Sequence, residues 1–195
     1  VVAVEIDPLI YKLGMELHFE KPYQSPRVRF VLDDARSYIE KSQDHFDMIV
    51  FSLLDSHTTS SHYSNIRIDN YVYTIEALRA AKDLLNPDGI FIVKFQVDTP
   101  WIAGRLQNLL TQVFQSELIQ IQAEPSFTTT GRFFITGSRR KLDSIMSESK
   151  LGSYVTKQSN VRTEEAALTT DDWPYFYQKN PGVPASIIVV SIALG

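Results

Sequence analysis

Residues 1–10 read VVAVEIDPLI, and this stretch decides the fold because a buried strand runs directly into the start of a helix. VVAVEI is continuous and rich in β-branched residues, which is typical of a strand buried on both faces of a sheet. Asp7 is placed to cap the helix, and Pro8 fits its first turn. The sequence therefore predicts a strand followed by a helix, the unit from which parallel sheets are built.

The same unit recurs further along the chain. A strand is predicted over residues 28–32, and Asp33 or Asp34 can cap the short helix that follows it. FDMIVF at 46–51 is the next buried strand. Such alternation of strands and helices predicts a parallel sheet with helices on its faces.

The second half of the chain completes this pattern. The predicted elements are a helix over 71–85 capped by Asn70, a strand over 90–95, a helix over 100–114, and strands over 118–122 and 132–137. The last two strands are close in sequence, so we expect an antiparallel strand there. The predicted fold is α/β: a Rossmann-like, doubly wound, mostly parallel sheet that binds ligands beyond the carboxyl ends of its strands.

The composition is that of an ordinary globular protein, and it narrows the range of functions. Of 195 residues, 44% are hydrophobic and 22% charged, which excludes a disordered chain and a coiled coil. The formal net charge is −4, whereas proteins that bind nucleic acids present a positively charged surface to the phosphates. No nucleic acid is therefore expected as a partner. The absence of cysteine excludes disulfides, thiolate catalysis and zinc sites built on sulfur.

Three regions differ in their pattern. Residues 1–140 carry the alternating strands and helices, whereas residues 141–180 show only a weak pattern and are predicted to be a polar appendage. Residues 181–195 form a tail that ends in the apolar run IIVVSIAL at 187–194, which is too short to span a membrane by itself. This run fits either a final buried strand or the start of a membrane helix.

Acidic residues follow the first two predicted strands, at the edge where such sheets bind ligands. Glu5 suits two hydrogen bonds with the hydroxyls of a ribose, or it stabilises the helix start together with Asp7. Asp34 suits an adenine amino group, although Asp33 and Asp34 fit a plain N-cap equally well. The sequence therefore predicts a nucleoside site at this edge, with helix capping as the alternative.

A long polar loop over residues 52–69 follows the third strand, and its length indicates a function. Asp55 either positions a cationic substrate group or holds the loop through bonds to the backbone. His57 and His62 are expected to be solvated or lid residues. The alternative, a metal site with Asp55 and Asp69, lacks the constraint that orients ligating imidazoles, so no metal is expected.

No two glycines in the chain form G-x-G, so a dinucleotide turn is absent. Such a turn normally precedes an acidic residue like Glu5 by about twenty residues, and the chain starts too late to contain it. Its strand would lie between those at 1–6 and 46–51. Unpaired strand edges are costly when buried, so we expect these two strands to pair directly, or a second chain, as in a homodimer, to fill the gap.

Six short motifs together resemble those of a known family. They are VEIDP at 4–8, DDAR at 33–36, FDMIVFSLLDS at 46–56, YT-x-E-A at 73–77, NPDGIF at 86–91 and TDDWPYFY at 170–177. As a set they resemble the spermidine synthase (polyamine aminopropyltransferase) family, which has the class I S-adenosylmethionine-dependent methyltransferase fold. The resemblance covers about residues 1–137 and again 169–177.

The resemblance implies a cofactor and the residues that hold it. S-adenosylmethionine or its decarboxylated form is the implied cofactor, with Glu5 on the ribose and with Asp34 and Ala35 on the adenine. Ser52 stands where the family has its general-base aspartate, and Asp55 matches the second, substrate-positioning aspartate. The implied substrate loop carries His57, His62, Asp69 and Tyr73.

Ser52 separates the functional hypotheses, because a serine hydroxyl cannot deprotonate an ammonium near neutral pH without a partner base. The leading hypothesis is a methyltransferase-like domain acting on a small-molecule amine or another methyl acceptor, and inactive as this chain alone. Aminopropyl transfer and a non-catalytic nucleoside sensor are the alternatives. The tail resembles that of bacterial members fused to membrane-spanning helices, which implies a location at the cytoplasmic face of a membrane.

Overall fold

The structure is a computed structural model that describes residues 1–52, 54, 68–97, 99–122, 131–147, 150, 152–153, 155, 162–183 and 185–194. Its strands are β1 (Val2–Glu5), β2 (Arg29–Leu32), β3 (Phe46–Ser52), β4 (Leu85–Gln96), β5 (Ile119–Gln122) and β6 (Gly131–Gly137). Its helices are α1 (Pro8–Glu16), α2 (Ala35–Lys41), α3 (Ile75–Asp83), α4 (Pro100–Phe114), α5 (Arg139–Ser147) and α6 (Ala185–Leu194), with 3₁₀ turns at Pro22–Gln24 and Ile68–Tyr73.

The strands form two sheets. β1 and β2 make a parallel pair, and the second sheet has the order β3-β4-β6-β5. β3 is parallel to β4, whereas β6 runs antiparallel to both β4 and β5. The predicted fold class is confirmed: the protein is α/β, mostly parallel, with one antiparallel strand near the end of the sheet.

The four-stranded sheet is covered on both faces. Phe91, Val93 and Phe95 of β4 are fully buried and pack with Leu78 of α3 and Leu106 of α4 in the main core. The opposite face carries a smaller cluster, formed by Ile90, Ile119, Ile121, Leu142 and Val155. Burial on both faces explains why residues 90–95 of β4 form the nearly continuous apolar run IFIVKF.

Helix caps fix where several elements begin. The Asp7 carboxylate accepts the Leu9 N–H at 2.7 Å, which confirms the predicted cap of α1. The prediction that Asn70 caps a helix over 71–85 is wrong, because Ile68–Tyr73 forms a 3₁₀ turn and α3 begins only after Thr74. The Thr74 hydroxyl accepts the Ala77 N–H at 3.2 Å and is the actual cap.

The predicted direct pairing of the strands at 1–6 and 46–51 is wrong. Within the described residues β1 pairs with β2 and β3 pairs with β4, so the facing edges of β1 and β3 form no ladder. Val2 and Val4 of β1 instead line a cavity of about 150 Å³ together with Met48, Val50 and Tyr38. The alternative, a second chain in this gap, stays a prediction.

One buried arginine attaches the segment 164–179, which we call the strap, to α4. The Arg105 side chain is fully buried, and its Nε donates to the Ala167 carbonyl at 2.6 Å. Its other nitrogens donate to the carbonyls of Tyr175, Phe176, Gln178 and Lys179. Burial lowers the pKa of Arg105 to about 10, so the guanidinium stays charged near neutral pH.

The strap also needs a glycine on α4. A Cβ at Gly104 would lie 1.8 Å from the Glu164 carbonyl oxygen, far inside van der Waals contact. The Glu164 N–H in turn donates to the Pro100 carbonyl at 3.1 Å, so the two backbones touch directly. Only glycine lets the strap approach the helix this closely.

The apolar tail forms a helix. Ala185–Leu194 is helical, so the alternative of a final buried strand is wrong for these residues. Its isoleucines and valines are exposed, among them Ile188 and Val189. No helix in the described part of the chain has both the length and the apolar character to cross a membrane.

We expect Arg105→Lys to lower the free energy of unfolding by about 3 kcal/mol, because one ammonium cannot satisfy five carbonyls that surround a planar guanidinium. Urea denaturation followed by circular dichroism measures this change. Arg79→Lys is the matched control, since Arg79 is exposed on α3. Equal stability of both variants would contradict the anchoring role of Arg105.

Candidate functional site

The carboxyl ends of β1 and β2 lie side by side. The register pairs Glu5 with Leu32, and the Asp33 N–H donates to the Glu5 carbonyl at 3.2 Å. Asp34 follows directly and begins α2. Glu5 and Asp34 therefore belong to the same edge of the parallel pair, where sheets of this type bind ligands.

Both acidic residues use one carboxylate oxygen in local backbone bonds. Glu5 Oε1 accepts the Asp7 N–H at 2.9 Å, and Asp34 Oδ1 accepts the Ser37 N–H at 2.9 Å. Asp34 is thus the cap of α2, whereas Asp33 accepts the Asp34 N–H. The second oxygens of Glu5 and Asp34 form no hydrogen bond to any residue that the structure describes, so each retains acceptor capacity.

Ala35 connects this edge to the cavity between the sheets. It is the first residue of α2, is half-buried, and lines the cavity together with Ile39 of the same helix and Val4 of β1. The lining of the cavity is mostly apolar, and Glu5 and Asp34 are not part of it: Glu5 follows the lining residue Val4 in the chain, and Asp34 precedes Ala35. An apolar pocket with polar groups nearby is typical of sites for small organic ligands.

Ser52 is the last residue of β3, at the carboxyl end of that strand, and it is exposed. Its partner in the neighbouring strand is Lys94, whose ammonium lies 5.9 Å from the centre of the Phe133 ring. No hydrogen bond joins the Ser52 hydroxyl to a base among the described residues. The position therefore offers a small polar side chain and no carboxylate.

The remaining predicted site residues are only partly described. Asp55, His57 and His62 lie outside the described residues, and Asp69 belongs to the 3₁₀ turn at Ile68–Tyr73. In the part of the chain that the structure covers, no three His, Asp or Glu side chains are grouped to hold a metal.

Tyr73 ends that turn and is buried. Its ring packs 5.3 Å from Phe95 and 5.0 Å from Phe176, measured between ring centres. Contact of Tyr73 with a substrate stays a prediction.

Sequence reasoning missed a polar junction beside this edge. Asp171 of the strap forms an ion pair with Arg36 at 2.8 Å and accepts the Thr74 hydroxyl at 2.7 Å. The Asp171 N–H donates to Glu76 at 3.0 Å. These charged residues stand inside the motifs quoted above, but sequence alone does not reveal that residues more than ninety positions apart meet.

A family model described as the spermine/spermidine synthase domain matches residues 1–144. The chain therefore belongs to the spermine/spermidine synthase family. Two relatives are the polyamine aminopropyltransferase of Aeropyrum pernix, 28% identical over 98 residues, and polyamine aminopropyltransferase 2 of Aquifex aeolicus, 27% identical over 96 residues. The matches cover 48% and 47% of this chain but only 29% and 18% of those proteins, so less than a third of each relative is represented.

Solved structures show the same fold. Human methyltransferase-like protein 13 in complex with SAH has a TM-score of 0.57 at 20% identity, covering 80% of this chain and 65% of that protein. Spermidine synthase from Thermotoga maritima has a TM-score of 0.54 at 16% identity, covering 100% of this chain and 60% of that protein. Both neighbours have the Rossmann-like fold that the strand order of this protein indicates.

Asp34→Ala is expected to lower the free energy of unfolding by about 1 kcal/mol, because it removes the side chain that caps α2. Asp34→Asn keeps an acceptor at the same position and is expected to retain most of that stability. Urea denaturation of both variants distinguishes them. An equal loss for both would mean that the charge of Asp34, not its cap, stabilises α2.

Proposed function

We propose that this protein is an adenosyl-cofactor-binding transferase domain that passes a group to a small-molecule acceptor. The observation that carries the proposal is the placement of Glu5 and Asp34 at one sheet edge, each with a carboxylate oxygen that has no partner among the described residues. Membership of the spermine/spermidine synthase family supports it.

The donor and acceptor chemistry of this edge fits an adenosyl group. A ribose offers two hydroxyl donors and adenine offers an amino donor, and carboxylates are strong acceptors for all three. Glu5 would hold the ribose, and Asp34 would hold the adenine amino group beside Ala35. The apolar cavity that begins at Ala35 would accommodate the flat ring.

The nature of the transferred group depends on Ser52. S-adenosylmethionine supplies, when bound, a carbon made electrophilic by its sulfonium, and its decarboxylated form supplies an aminopropyl group in the same way. The Ser52 hydroxyl cannot take the proton of an ammonium, so an acceptor that is already nucleophilic suits this strand end best. We therefore favour methyl transfer, with aminopropyl transfer as the alternative that the names of the relatives support.

Isothermal titration calorimetry with S-adenosylmethionine, decarboxylated S-adenosylmethionine and methylthioadenosine tests the proposal. Glu5→Gln is expected to weaken binding of the preferred compound about tenfold, because hydrogen bonds to a charged acceptor are worth about 1.5–3 kcal/mol. Asp7→Asn is the matched control: it removes a charge at the same edge but keeps the cap of α1, so binding should stay within about twofold.

The outcomes separate the candidate functions. Preference for S-adenosylmethionine supports methyl transfer, whereas preference for the decarboxylated form supports aminopropyl transfer. Tight binding without turnover over a panel of amines and methyl acceptors supports a nucleoside sensor, or a chain that is inactive by itself. Binding of none of the three compounds would overturn the proposal.

We also propose that α6 associates with lipid. Four successive residues, Ile187 to Val190, are each about half exposed or more, and consecutive helical residues point 100° apart, so every face of the helix is apolar and open. A groove on another protein would cover only one face of α6, whereas lipid would surround all of its faces. The ten residues of α6 are about 15 Å long, half the thickness of a membrane's hydrocarbon core.

Flotation with phosphatidylcholine vesicles tests this association. The protein is expected to float with the vesicles, and Val189→Asp is expected to abolish flotation, because a charge inside the hydrocarbon costs about 2.5–3.5 kcal/mol. Asn180→Asp adds the same charge outside the helix and should leave flotation unchanged. Flotation of Val189→Asp at the original level would contradict insertion of α6.

A further inference from the structure

Three of the motifs that carry the family resemblance meet at one side chain. Asp171, in TDDWPYFY, pairs through Oδ2 with the Arg36 guanidinium of DDAR at 2.8 Å. Its Oδ1 accepts the hydroxyl of Thr74, in YT-x-E-A, at 2.7 Å. Its own N–H donates to Glu76 of that same motif at 3.0 Å. Both carboxylate oxygens and the backbone nitrogen of Asp171 therefore form hydrogen bonds, which join the strap to α2 and to the start of α3.

The bond from Thr74 decides how α3 begins. The Thr74 hydroxyl lies 2.7 Å from Asp171 Oδ1 and 3.2 Å from the Tyr71 carbonyl, and its single hydrogen favours the nearer Asp171. The Thr74 oxygen also accepts the Ala77 N–H at 3.2 Å. A second residue of the strap repeats the contact, because the Ile75 N–H donates to the Thr169 carbonyl at 3.0 Å and the Thr169 hydroxyl donates to the Tyr73 carbonyl. The strap thus holds the junction between the 3₁₀ turn and α3.

The ion pair with Arg36 connects Asp171 to helix α2. Arg36 lies two residues after Asp34, in the first turn of α2, and its Nε donates to Glu40 at 2.7 Å. The Arg36 side chain is 16% exposed and that of Asp171 is 39% exposed, so their ion pair is partly shielded from water. Helix α2 has seven residues, too few to be stable alone, and depends on such external contacts.

We propose that Asp171 is a positioning residue for the nucleoside site: it fixes the first turn of α2, and with it Asp34, relative to the segment that leads into α3. This inference rests on the proposed function, since it assumes that Asp34 binds a nucleoside. Asp171 itself does not touch the ligand. Its loss would leave Arg36 with Glu40 and a 3.4 Å contact to the Thr74 hydroxyl, and would leave that hydroxyl with the more distant Tyr71 carbonyl as acceptor. The turn that carries Asp34 would then be held less firmly in one orientation.

Calorimetry with methylthioadenosine on the full chain tests the inference. Asp171→Asn is expected to weaken binding about tenfold, in line with the coupling usual for residues in one hydrogen-bonded network. Asp172→Asn is the matched control, because it removes the same charge one residue further on, where Asp172 forms no ion pair with the described residues. Its affinity should stay within about twofold of the original.

A spectroscopic signal separates positioning from general stability. The chain has two tryptophans, Trp101 and Trp173, so Trp101→Phe leaves Trp173 of the strap as the only tryptophan reporter. Methylthioadenosine is expected to shift the Trp173 emission in this background, and Asp171→Asn is expected to abolish the shift at saturating ligand. Circular dichroism at the same temperature checks that the variant is folded.

Arg36→Lys provides a second variant if Asp171→Asn does not fold. It keeps the positive charge but loses the planar fork that reaches Glu40 and Asp171 together, so an affinity loss of about threefold to tenfold is expected. Unchanged affinity in the folded variants, or equal losses for Asp171→Asn and Asp172→Asn, would overturn the positioning role and leave the proposed function intact. Absence of methylthioadenosine binding to the unmodified protein would overturn both.

Discussion

A single buried guanidinium, that of Arg105, holds the strap against α4. Arg105 has no carboxylate partner in the described part of the chain, and its charge is balanced by main-chain carbonyls and by the rings of Trp101 and Trp173, whose centres lie 5.2 and 5.3 Å from its central carbon. A buried charge without such partners would cost several kcal/mol. The strap must therefore adopt one path over α4, and every contact that it makes elsewhere depends on that path.

The fixed path explains how a segment far along the chain contributes to an edge formed by its first residues. Anchoring by Arg105 places Asp171 next to Arg36 and Thr74, at the junction where α2 and α3 begin. The family model covers residues 1–144 and does not include the strap. The strap is nevertheless joined to the matched region by an ion pair and several hydrogen bonds, so the two form one continuous structure around the proposed nucleoside site.

The sequence predicts elements whose signals are local. The strand at β1, the cap at Asp7 and the start of α4 at Pro100 each follow from neighbouring residues, and all three are confirmed. The predicted start of α3 is wrong because Asn70 and Thr74 are equally suitable N-cap residues in the sequence. Strap residues more than ninety positions away bind Thr74 and Ile75 and so determine that Thr74 is the cap. Arg105 lies among the apolar residues of α4, so its burial is suggested by the sequence. Its partners are backbone carbonyls, which the pattern of side chains in a sequence cannot identify. The predicted pairing of β1 with β3 is wrong because it assumes buried edges, whereas no residue of β1 is fully buried and Met48 and Val50 of β3 are each 50% exposed. An unpaired strand edge that water can reach is not costly.

The division into two sheets gives the molecule two regions of unequal local stability. An isolated pair of strands is marginal in water, whereas the four-stranded sheet has helices on both faces. The amides of β1 and β2 should therefore exchange with solvent at lower opening free energies than those of β4 and β6. Because Glu5 ends β1 and Asp34 follows β2 by two residues, part of the ligand's intrinsic affinity would be consumed in rigidifying its own site.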